Sequence, residues 1–247
     1  MRRMLAGVLL ALAACQSAPP VADAASVCAL PAPTIIERTG DSHGADGRLL
    51  QVWELDDSPV LWSEATPTTG GYPDFREKLA TAATETDPVK LLQASPTANN
   101  DQVVANAGSW IKPAGCFEKL LVGIQHTRRD IFLAPTEFVS AVLQSADGKR
   151  LRIYFFTINQ DGIGRMSPVT NPVNEDHAKG WRVAFVIHMH AFHPGNAQLN
   201  GVVSPSVPDA DFNFNFAEEA GMKAAWITNG VSTVRIPAKE FGRFQRE

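Results

Sequence analysis

The sequence predicts a layered α+β fold, and three observations predict it. Residues 138–144, 151–158, 181–189, 223–228 and 231–236 are short runs rich in β-branched and aromatic side chains, which favour strands. Asp147-Gly148 and Asn229-Gly230 sit between consecutive runs and have the chemistry of tight hairpin turns. A helix is expected from near Asp209 to Ala220, opened by Ser206-Val207-Pro208. Strands that cannot close on one another without a covering helix point to a mixed sheet with helices against it.

The elements follow in chain order. Arg2 and Arg3 precede an apolar run from Met4 to Ala14, 11 residues long. That is too short to cross a bilayer and has the length of a signal-peptide core. The run ends in Leu12-Ala13-Ala14-Cys15, which resembles a lipoprotein cleavage box. The resemblance implies cleavage after Ala14 and a lipid on the Cys15 thiol, holding the chain at a bacterial envelope membrane. Cleavage after Ala25, with simple secretion, is the alternative. Residues 15–27 are small and Pro-containing, without periodicity, and read as a tether.

Removing the first 14 of 247 residues leaves 233, enough for one large domain or a domain with an added layer. The formal charge of −4 becomes −6 once Arg2 and Arg3 are gone. No basic patch for nucleic acid is present. Cys28 and Cys116 remain after Cys15 takes a lipid, and in an oxidising envelope they are expected to form a disulfide rather than two buried thiols.

Residues 28–130 read as an N-terminal region packing on the core. Thr34–Ile36 and Leu49–Trp53 are strand-like, and Phe75–Ala83, Pro88–Gln93, Asp101–Trp110 and Cys116–Gly123 are helix-like. This stretch carries no chemical motif. Residues 131–247 hold the strands and the long helix, with 159–180 and 191–208 read as loops. A short helix is expected at the C-terminus. The alternation of Phe212, Phe214 and Phe216 is unusual for a helix; an extended stretch or a lined pocket would explain it, and packing against the sheet is the expectation.

The chemistry is concentrated in His188-Met189-His190-Ala191-Phe192-His193. Alternation along a strand puts His188 and His190 on one face, with Cβ atoms about 6–7 Å apart, so their ring nitrogens can converge on one ion. Two neutral ligands need a carboxylate, and Asp209 follows in Ser206-Val207-Pro208-Asp209. His-x-His, a loop and Ser-x-x-Asp resemble the JAMM (MPN+) metalloprotease signature, with Glu137 on an earlier strand and 223–231 as its closing strand-turn-strand. The resemblance covers roughly residues 130–237.

The resemblance implies an MPN-like mixed sheet and assigns roles. His188, His190 and Asp209 would hold Zn2+. Glu137 would act as general base and later general acid, and Ser206 would hydrogen-bond the developing oxyanion. The implied reaction is hydrolysis of a peptide, isopeptide or other amide bond. The export signal directs that expectation towards envelope proteins, peptides or cell-wall amides and away from ubiquitin. Fifteen residues separate His190 from Ser206, more than the family usually has. His193 is therefore a rival ligand, and Asp211 is a rival to Asp209. Ser206 and Asp209 also suit a helix cap needing no metal, which leaves a non-catalytic envelope module as the alternative function. His43, His126 and His177 read as surface or structural residues.

Overall fold

Apolar residues alternate along the central strands and sort onto the two faces of one sheet. In the computed structural model, which describes residues 28, 34–39, 47–159, 166–193 and 200–246, that sheet has eight strands. They are β1 (Thr34–Thr39), β2 (Leu49–Asp56), β3 (Ile111–Pro113), β4 (Phe138–Gln144), β5 (Arg150–Thr157), β6 (Arg182–Met189), β7 (Ala224–Thr228) and β8 (Ser232–Pro237). Their order is β1-β2-β5-β4-β6-β7-β8-β3. All neighbours are antiparallel except β6 and β7. A parallel pair needs a crossover, and α8 (Val207–Ala220) supplies it. The mixed sheet with flanking helices is the α+β class that the sequence predicts. The cleavage box at Cys15, the tether and His43 lie outside the described residues.

The central strands are buried on both faces. Tyr72, Phe75 and Leu79 of α2 (Tyr72–Ala82) and Phe117, Leu121 and Val122 of α6 (Cys116–Arg128) cover Phe138, Ile153, Phe155 and Ile187. On the opposite face α7 (Ser167–Ala178), α8 and the pair α3 (Pro88–Ala94) and α4 (Ala98–Ala105) cover Val139, Ala141, Tyr154 and Val186. Each face therefore buries several large side chains, worth about 1.5–3 kcal/mol apiece relative to exposure. Two short helices, α1 (Pro59–Trp62) and α5 (Ala107–Trp110), complete the N-terminal part, and a 3-10 turn over Ala238–Arg243 is the short C-terminal helix. Among the described residues no helix is long and apolar enough to cross a membrane.

Three expectations are corrected. Residues 167–178 are the helix α7, not loop. Pro172 inside it removes one backbone hydrogen bond and masks the pattern, yet Val169 and Val173, one turn apart, are both buried. The single helix expected over 101–110 is two, because α4 ends at Ala105 and α5 starts at Ala107. Phe212, Phe214 and Phe216 all lie within α8: Phe212 stacks on Phe216 at 5.4 Å, while Phe214 lies under the Arg246 guanidinium at 3.7 Å. The extended reading is thus overturned, while packing against the sheet holds for the buried Phe216 and Phe212 lines a cavity.

Residues 34–56 and 111–113 place three strands in the same sheet as the C-terminal part. Cys28 and Cys116 stand at disulfide distance, with Cα atoms 5.8 Å apart across 88 residues of sequence. That bond ties the start of the described chain to the first turn of α6.

Candidate metal centre

The centre is assembled where three elements meet at one end of the sheet. β6 ends at Met189, and His188 and His190 project from its last turn of pleat onto the face covered by α8. Asp209 is the third residue of α8. Its position is fixed by a capping box: Asp209 N donates to Ser206 Oγ at 3.2 Å, and Ser206 N donates to Asp209 Oδ2 at 2.9 Å. Pro208 within the first turn suits a helix start, and Gly221, at φ 65°, ends the helix in the left-handed region that glycine adopts without a Cβ penalty.

The donor atoms converge. His188 Nε2 and His190 Nε2 are 3.1 Å apart, and each lies 3.5 Å from Asp209 Oδ2. Among the described residues this is the group of three ligand-type side chains close enough to hold a metal ion. Donors around one tetrahedral zinc at about 2.0–2.1 Å stand about 3.3 Å from each other, and the three observed separations bracket that spacing. His190 Nδ1 donates to the Val202 carbonyl at 2.6 Å. With the proton held there, Nε2 is left to offer its lone pair, the arrangement that outer hydrogen bonds impose on metal-ligating histidines. The donor set therefore fits a metal ion.

The electrostatics agree with that geometry. Burial opposes charge on His190, but Asp209, Glu137 and the Val202 carbonyl outweigh it and push its pKa up to about 9. Burial likewise opposes the Asp209 carboxylate, and the two imidazoles hold it well below the usual range. The carboxylates that favour a second proton on the His190 ring would equally favour a metal cation in that proton's place.

Glu137 stands one residue before β4. The antiparallel register pairs Val139 with His188, and the same register carried two residues further would set Glu137 opposite His190. Both residues line the same cavity of about 830 Å³, together with His188, Ser206 and Asp209. The five residues singled out from the sequence thus reach one chamber. Ser206 Oγ also approaches Asp209 Oδ2 at 2.6 Å, so its proton is given to that carboxylate. Asp211 points elsewhere: two residues on from Asp209 is the far side of a helix, and it accepts from Asn215 Nδ2 at 3.2 Å. His193 is not part of the donor group.

Several contributors carry no motif. Ala94–Thr97 and Asn100, from the connection between α3 and α4, form one wall of the cavity. Asn99 Nδ2 donates to the Pro205 carbonyl at 3.1 Å, bracing the residue before the Ser206 cap. Asn229 Nδ2 donates to the Gly201 carbonyl at 2.8 Å, and Gly201 N donates to the Ala191 carbonyl at 3.0 Å. This holds the Val202 carbonyl against His190. Gly201 has φ 66°, and a Cβ there would come within 2.6 Å of the Phe192 ring. The only sequence signal for Asn229 is its place in a turn, which explains it without reference to the site.

No protein-family model, no curated protein and no solved structure matches this chain.

Proposed function

We propose that the chain is a zinc-dependent hydrolase of amide bonds, of the JAMM type, held at a bacterial envelope membrane by a lipid on Cys15. The observation that carries this reading is the donor triangle of His188, His190 and Asp209 with Glu137 opening on the same cavity. The order of Glu137, His-x-His and Ser-x-x-Asp, each at the edge of a strand or helix, supports it. Zinc bound there would act as a Lewis acid and lower the pKa of its water towards about 7.

The chain's own residues supply the rest. The Glu137 carboxylate would accept a proton from the attacking water and return it to the leaving amine. Val202 keeps His190 in one tautomer. Ser206 orients Asp209, and rotation of its hydroxyl towards the cavity would free that donor for an oxyanion. Envelope peptides, proteins and cell-wall amides are the substrates that an exported chain would meet.

Metal analysis of the purified protein, stripped and reloaded, tests the reading. One zinc per chain is expected, lost in His188→Ala and in Asp209→Ala. Glu137→Gln is expected to keep the zinc and to lose cleavage of any amide substrate that the native protein turns over. Native protein that takes up no metal would exclude the enzyme and leave the fold as a binding module.

A further inference from the structure

Four asparagines in or beside the site are almost fully buried, and three of them are spent on backbone. Asn99 bonds the carbonyls of Pro205 and Gln245, Asn100 those of Leu92 and Ser95, and Asn229 that of Gly201. Asn213 is the exception. It is 2% exposed and lines the cavity, but its carboxamide forms no hydrogen bond with any described residue. Buried carboxamides are normally paired within the protein, and the polar atoms of this one are not among the enclosed ones without a partner, so they open on the cavity and are available to a ligand.

Its position is informative. Asn213 is four residues after Asp209 on α8 and so on the same helix face, about 6 Å further along the axis. An extended peptide advances about 3.3–3.6 Å per residue. A chain whose scissile amide sits at the donor triangle would bring its next peptide group within reach of Asn213. A carboxamide offers a donor and an acceptor together, as a peptide group does. Val139, Val186, Met166 and Phe212 line the same cavity and give an adjoining side chain an apolar surface.

We propose that Asn213 reads the backbone of a peptide substrate by pairing its carboxamide with the peptide group next to the scissile bond, beside a subsite for an apolar side chain. This rests on the zinc-hydrolase reading above. The class of substrate that follows is an extended peptide segment, not a small isolated amide.

Two hydroxamates test it on the full zinc-loaded chain. Acetohydroxamate reaches only the metal, whereas acetyl-leucyl-leucine hydroxamate extends past Asn213. Asn213→Ala is expected to weaken the dipeptide probe about tenfold, with zinc stoichiometry and acetohydroxamate affinity unchanged. An ester in place of the leucyl-leucine amide should erase the difference between native and variant, as a double-mutant cycle requires. The variant's Tm should stay close to the native value, since the carboxamide makes no hydrogen bond within the described protein and opens on the cavity. Equal affinity of native and variant for the dipeptide probe would overturn this inference alone. So would a dipeptide probe that binds native protein no tighter than acetohydroxamate, or a Tm several degrees lower in the variant, which would make Asn213 structural. Native protein without zinc would overturn the hydrolase reading and this inference with it.

Discussion

Two clusters in this molecule are made of the same ingredients, histidine and aspartate, and they are built for opposite ends. In the first, His126 Nε2 lies 2.6 Å from Asp74 Oδ2, and Lys78 Nζ lies 3.0 Å from Asp74 and 2.7 Å from Asp130. Phe75 and Phe132 pack edge-on against the buried His126 ring. In the second, the ion-pair partners of Asp209 are the two imidazoles alone. The first cluster carries its own cation in the Lys78 ammonium. The second has converging donors with no lysine or arginine among them, on the wall of a large cavity. What distinguishes a structural ion network from a ligand set is therefore the group that fills the centre, not the residue types around it.

Substitutions can break this contrast. The largest effect is expected from His126→Ala, which should cost about 3 kcal/mol of stability, as loss of a buried aromatic packing unit does. It should leave zinc stoichiometry at the native value. Urea unfolding and metal analysis on the same sample read both, and loss of zinc in this variant would erase the distinction. Next, Asn229→Ala should weaken zinc affinity about 10- to 100-fold while leaving His188 and His190 in place, because it releases the loop that orients His190. Competition with a chelator measures this, and an unchanged affinity would show that the Val202 carbonyl needs no such brace.

The smallest effect sharpens the first cluster. Burial works against the Asp130 carboxylate, and Lys78 more than offsets it, so its pKa is lowered on folding. A lowered folded pKa gives stability that is complete above the unfolded value of about 4 and lost as pH falls through the folded one. Both partners are partly exposed, so Asp130→Asn should cost only about 0.5–1 kcal/mol at pH 7 after solvent screening. The gap between native and variant should close towards pH 3, and a gap that persists there would have a cause other than the ion pair.

Much of this was legible because it obeys short-range rules. The apolar runs at 138–144 and 181–189 sit where strands form, and both glycine-containing turns join hairpins. His188, His190, Ser206 and Asp209 were readable since strand alternation and helix capping place side chains locally. Glu137 needed a long-range register, and only the family resemblance pointed to it. The rest depends on tertiary contacts with no local signature. Nothing near Asn99 announces a bond to Pro205, 106 residues away. Helix α7 was hidden by Pro172 and by a burial stripe only two valines deep. The wall from Ala94 to Thr97 has the composition of any loop.

The bond from Gly201 N to the Ala191 carbonyl, with Val202 bound to His190 one residue later, closes the neck of the segment between the metal-facing strand and α8. Loop-closure entropy grows only logarithmically, about 0.6 kcal/mol per doubling of length. Segment length between Ala191 and Gly201 is thus close to a neutral variable for the three candidate ligands. Insertions or deletions between Ala191 and Gly201 would therefore leave the anchor of His190 on the Val202 carbonyl in place.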